Sequence, residues 1–192
     1  MAKKYIIWVS DSNTDPLAVQ RANELATVLG GGWGGIVISN GTIQDLETEL
    51  QDLSDNIQNN DDVLIYISDY GQLKPEGPKI YASDGNMLLS DIDNKFSDKT
   101  FTHLSIIMTG KKSGVGMENY GQLINAEKPF TLATSMASDE LCEPDLFNIA
   151  FHLPGPATDW QNIIQGIINE LNMLRNLPPE TKQHGNHYFY HP

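Results

Sequence analysis

Asp61–Gly71, DDVLIYISDYG, decides how the rest of the chain is read. Two acids open it, and Val63-Leu64-Ile65-Tyr66-Ile67 follows without a polar break. A short apolar run rich in β-branched and aromatic residues suits a strand covered on both faces, the environment of a parallel sheet. The run stops at Ser68-Asp69-Tyr70-Gly71, three polar residues and a glycine. In open parallel sheets, ligands sit beyond the carboxyl ends of the strands. The Asp69-Tyr70-Gly71 corner is therefore the first place to look for chemistry.

Working outward, the same pattern recurs on both sides. Tyr5–Val9 reads as a first buried strand, Ser10–Asp15 as a turn, and Pro16 as the opening position of a helix. Leu17, Arg21, Leu25, Val28 and Leu29 recur at near-helical spacing, until Gly30-Gly31-Gly32 ends the run. Trp33–Ile38 is a second strand, and Asn40-Gly41-Thr42 a turn with an N-cap. Ile43, Leu46, Leu50, Leu53 and Ile57 form the apolar stripe of a second helix. Asp45, Glu47, Glu49 and Asp52 occupy its solvated side. Strand, helix, strand, helix, strand with short links predicts an α/β domain wound about a parallel sheet.

Downstream, residues 79–89 predict a small hairpin around Ser83-Asp84-Gly85-Asn86, then a short helix from Ser90 to Phe96. Thr100–Met108 is the next core strand, with His103 a core or edge histidine rather than a ligand. Pro129–Ser135 is another strand. A last helix begins at Thr158 or Asp159 and carries Trp160, Ile163, Ile164, Ile167, Ile168, Leu171 and Leu174 on one face. Pro178-Pro179 ends it, so the domain is drawn as 1–178, with 179–192 a polar and aromatic tail. His184, His187 and His191 lie in that tail without neighbouring acidic or cysteine ligands, and read as incidental rather than metal-binding.

Composition narrows the function. A chain of 192 residues with 40% apolar content suffices for one packed domain. The net charge of −13 repels phosphate backbones, which argues against nucleic acid and anionic membranes as partners. One cysteine, Cys142, allows no internal disulfide. The apolar run near the N-terminus is too short for a secretory signal and no stretch approaches transmembrane length, so the expected setting is the cytoplasm. The glycines at 30–35 precede a strand, the reverse of a phosphate cradle, so no nucleotide cofactor is expected.

Three landmarks in order resemble the caspase-like clan of cysteine peptidases, and more narrowly its legumain and GPI-transamidase type. They are Ser68-Asp69-Tyr70-Gly71, then Met108-Thr109-Gly110-Lys111-Lys112-Ser113-Gly114, then Leu132-Ala133-Thr134-Ser135 with Ser138-Asp139-Glu140 beyond. The resemblance spans roughly residues 4–150. It implies a three-layer α/β/α fold with a mostly parallel sheet. The first strand would lie between the second and third, and the fourth outside the third. It also implies a catalytic histidine in the first landmark and a catalytic cysteine in the second. This sequence departs at both: Tyr70 stands at the histidine position and Lys111 at the cysteine position. Thr109 replaces the acid that precedes the cysteine, and Arg21 is the nearest, poorly aligned counterpart of a family arginine.

The chemistry of the substitutes is unsuited to thiol attack. A phenol with a pKa of about 10 is a poor base at neutral pH. A protonated ammonium is no nucleophile. Cys142 lies beside Glu140 and Glu143, which disfavour a thiolate. The reading is thus an inactive peptidase homologue that holds a peptide or protein in a remnant cleft. Asp11, Asp69, Tyr70, Gly71, Thr109, Lys111, Ser113 and Ser135 would line that cleft. The alternatives are an active cysteine endopeptidase or transpeptidase of the same type, and a small-molecule enzyme using Tyr70 and Lys111.

Overall fold

The computed structural model describes residues 2–13, 17–69, 72–74, 77–109, 130–134 and 186–190; for residue 28 and for 72–74, 130–134 and 186–190 it describes the backbone alone. In chain order the elements are β1 (Lys3–Ser10), α1 (Ala18–Leu29), β2 (Gly34–Gly41), α2 (Ile43–Asn56) and β3 (Asp62–Ser68). Then come β4 (Gln72–Lys74), β5 (Gly77–Ala82), β6 (Gly85–Leu88), α3 (Leu89–Asn94), β7 (His103–Thr109), β8 (Phe130–Thr134) and β9 (Asn186–Tyr190). The main sheet runs β2-β1-β3-β7-β8-β9. Its first five strands are parallel and β9 is antiparallel. The predicted order of the four leading core strands is the observed one.

Alternation within β3 divides the core in two. Val63, Ile65 and Ile67 join Ile6, Trp8, Leu104, Ile106 and Met108 beneath α2 and α3. Leu64 and Tyr66 join Ile7, Val9 and Ile107 beneath α1. Every residue from Val63 to Ile67 is at most 1% exposed. Full burial of such a side chain contributes about 1.5–3 kcal/mol, so this strand is the structural axis of the domain.

Helix α2 starts where the sequence placed it. The Thr42 hydroxyl accepts from the Asp45 N–H at 3.1 Å, and the Asp45 carboxylate accepts from the Thr42 N–H at 2.9 Å. This reciprocal cap satisfies two donors that the first helical turn leaves without partners. Gly41, just before it, lies against Trp8: an added Cβ would meet the indole Nε1 at 2.5 Å. That indole donates to the Thr42 carbonyl at 3.1 Å, locking the end of β2 to the core.

Three expectations need correction. Helix α1 is capped by Leu17 and begins at Ala18, with Ala18 and Ala22 rather than Leu17 in the core. Small side chains let α1 lie close to the sheet, so the apolar stripe is built from alanines as well as leucines. The predicted hairpin has a third strand, β4, pairing with β5, so the insertion is a three-stranded antiparallel sheet. Residues 186–190, read as tail, form a sheet strand paired with β8. The expected last helix and Cys142 lie outside the described residues. No helix of the described residues is long and apolar enough to cross a membrane.

Candidate functional site

Strands β1, β3 and β7 are parallel neighbours, so their carboxyl ends share one edge. The register pairs Val9 with Ser68 and Ser68 with Thr109. One residue further, the Asp69 N–H donates to the Thr109 carbonyl at 3.0 Å. The corners after β3 and β7, where the resemblance puts a base and a nucleophile, therefore begin side by side. Of the predicted cleft residues, Asp11, Asp69 and Thr109 stand at this edge. Tyr70, Gly71, Lys111, Ser113 and Ser135 lie outside the described residues.

The small antiparallel sheet sits over this edge, and the edge residues hold it there. The Asp69 carboxylate, 3% exposed, accepts from the Tyr81 N–H. Asp11 receives two hydrogen bonds from Ser83: the backbone N–H at 2.8 Å and the hydroxyl. Its carboxyl is held below the usual range, chiefly by the Ser83 hydroxyl and then the Ser83 N–H, against a small opposing effect of desolvation. The Ser10 hydroxyl donates to the Tyr81 carbonyl at 2.6 Å and accepts from the Ser12 N–H at 3.0 Å. Asn13 closes the gap between the first two corners, donating from Nδ2 to the Ser68 hydroxyl at 2.9 Å.

A third acid completes the arrangement from the other side. Asp84, in the β5–β6 turn, accepts from the Ile43 N–H at 2.8 Å and the Gln44 N–H at 3.1 Å. A carboxylate at a helix N-terminus satisfies free N–H groups and is favoured by the macrodipole. Ile80 and Met87 anchor the small sheet in the core below. Thr109, 6% exposed, donates its hydroxyl to the Tyr66 phenol oxygen at 3.1 Å.

Chemically, the described part of this edge holds carboxylates and hydroxyls. The tips of β1, β3 and β7 carry neither thiol nor imidazole among the described residues. His103 opens β7 at the opposite end of the sheet. Arg21 is buried in the first turn of α1. Asp11 and Asp69, read from the sequence as cleft residues, both bind the backbone of the small sheet. Ser83, Tyr81, Asn13 and Asp84 were not singled out, because contacts across 12 to 72 positions leave no local pattern. No group of histidine, cysteine and acidic residues among the described residues is arranged to hold a metal ion.

Comparison with known proteins finds relatives by shape alone. No family model and no curated protein matches the sequence. Among solved structures, the Drosophila initiator caspase Dronc superposes with a TM-score of 0.60 at 8% identity, over 98% of this chain and 78% of that one. Protein GSU0716 from Geobacter sulfurreducens superposes with a TM-score of 0.63 at 10% identity, over 98% of this chain and 93% of that one. The fold is caspase-like, an α/β domain about a mostly parallel sheet.

Proposed function

We propose that this chain is a catalytically inactive homologue of the legumain type of caspase-like cysteine peptidase, working as a binding or scaffold module in the cytoplasm. Its partner would be a peptide or protein segment seated at the carboxyl edge of the sheet. The observation that supports this is the register Ser68↔Thr109. It sets the ends of β3 and β7 side by side, and in this sequence Tyr70 and Lys111, which match the base and nucleophile positions of the peptidases, follow those two ends. Neither side chain supplies a thiolate or a neutral-pH base. The acids nearby, Asp11 and Asp69, hold the small sheet.

The test is a thiol-directed affinity probe together with a panel of fluorogenic peptides that varies the residue before the cleaved bond. The wild-type protein should hydrolyse none of them and should take up no probe at an activated thiol. Stoichiometric labelling of Cys142 that abolishes measurable hydrolysis would instead establish an active peptidase. The Tyr70→His, Lys111→Cys double variant should gain a thiol that alkylates faster than a free cysteine at pH 7, because an adjacent imidazole favours the thiolate. An alkylation rate no faster than that of free cysteine would mean that the two corners do not form the remnant of a peptidase site.

A further inference from the structure

A groove lined by described residues lies at the opposite end of the molecule from the carboxyl edge. It has a volume of about 630 Å³. Gly34, Gly35 and Ile36 of β2 form one side, and Glu49, Asp52 and Leu53 of α2 the other. β2 is the terminal strand of the sheet, and among the described residues no strand pairs with its outer edge. An exposed edge strand presents a row of N–H and C=O groups that templates a further strand. We propose that this edge takes up an extended segment of a partner protein by strand addition, with lysine or arginine on the face of the segment turned to α2, since alternate side chains of a strand share one face.

Three observations define the occupant. Gly34–Ile36 is exposed, and Ile36, at 38%, is the one large hydrophobic residue exposed among the described residues. The register Ile6↔Ile36 turns it to the face covered by α2, beside Leu53. It therefore offers an apolar foothold within the groove. Glu49 and Asp52 supply two negative charges on the facing wall, neither in an ion pair among the described residues. Of the lysines that reach the groove, Lys4 pairs with Asp61 at 2.9 Å, and Lys3 lies over the Trp33 ring at 5.5 Å. Neither lysine forms an ion pair with Glu49 or Asp52 among the described residues, so both carboxylates can receive a cation from an incoming segment. A second copy of this chain is a poor occupant, since each copy carries a net charge of −13.

The glycines explain why the groove is open. Gly35 must be glycine, because a Cβ would lie 2.0 Å from the Tyr5 carbonyl oxygen. Gly34 is under no such constraint: a Cβ there meets nothing within 4 Å. A side chain at that position would fit the free protein. The proposal is independent of the lost-catalysis reading, because the groove and the carboxyl edge are at opposite ends of the strands.

The probe is a capped peptide of alternating lysine and valine, followed by amide chemical shifts and hydrogen exchange on the full chain. A glutamate–valine peptide and a lysine–proline peptide serve as controls. The lysine–valine peptide should shift and protect amides of residues 34–38, and the controls should not. The Glu49→Lys, Asp52→Lys double variant changes two positions on α2 whose side chains hold no described partner. It should weaken binding by about tenfold or more. Equal binding of the glutamate peptide would overturn the proposal, as would shifts confined to another strand or no response at about 1 mM peptide. Protection of the same amides that grows with protein concentration, without peptide, would overturn it in favour of self-pairing.

Discussion

Asp61 and Asp62 open the central strand together, but their environments give the two charges opposite effects. Asp61 is 1% exposed, and its carboxylate accepts from the Ala2 N–H at 3.1 Å and the Gln58 N–H at 3.0 Å, with Lys4 Nζ at 2.9 Å. Burial pushes its pKa up, but Lys4 and the two N–H groups more than offset this, and the net shift is downward. Asp61→Ala should cost about 1–3 kcal/mol in urea unfolding, since it removes the acceptor of two N–H groups and the ion pair with Lys4. A carboxyl whose folded pKa is depressed stabilises above its unfolded value of about 3.9, and that stabilisation is lost as pH falls through the folded value. The gap between wild type and variant should thus be full at pH 7 and shrink below about pH 4. Asp62 behaves oppositely. Burial raises its pKa, Lys3 lowers it in part, and Asp61 raises it further. Its charge is a cost at neutral pH, so Asp62→Asn should raise the unfolding midpoint at pH 7. That gain should vanish below about pH 4, where both forms of the wild type are protonated. A midpoint unchanged at pH 7 would show that Lys3 compensates the charge fully.

At the scale of elements, the small sheet was half legible. Ser83-Asp84-Gly85-Asn86 announces a turn, since each residue suits one locally. Nothing local announces that Asp84 caps a helix 41 positions earlier, or that Asp11 and Asp69 hold the strands beneath. Carboxylates at strand tips read equally well as ligand-binding groups; only the contacts distinguish an anchor from a cleft residue. Asp84→Ala should cost about 1 kcal/mol, the typical worth of an N-terminal cap. It should also speed amide exchange at Ile43 and Gln44 before any change appears in β3. Asp11→Ala should speed exchange in the β5–β6 turn at Ser83, and in the wild type the same turn should loosen as pH falls below about 4, because the Asp11 pKa lies below its ordinary value. Turn exchange that is insensitive to both the substitution and pH would place the anchor elsewhere.

At the scale of the whole molecule, a wound parallel sheet could be read from the alternation of buried strands and amphipathic helices, because right-handed crossovers leave few alternatives, and its strand order followed from the resemblance to the caspase-like clan. The sixth strand could not, because an antiparallel edge strand needs neither a crossover nor a continuous apolar run, and Asn186–Tyr190 opens with a polar pair. Its pairing with β8 covers the edge of the sheet opposite β2. Removing residues 186–192 should therefore do two things. It should lose five cross-strand pairs, worth together about 1–5 kcal/mol at a few tenths to one each. It should also bare the edge of β8, so the shortened chain should aggregate at concentrations where the full chain stays dispersed. A finer test separates pairing from mere proximity. In a strand, successive N–H groups point to opposite sides, so only one of two adjacent residues donates to β8. Tyr188→Pro and Phe189→Pro should then differ, one removing a ladder hydrogen bond and the other an outward N–H. Light scattering and thermal unfolding of the two variants measure the difference. Equal, negligible effects would show that β9 contributes nothing to closing the sheet, and the aggregation predicted for the shortened chain would lose its cause.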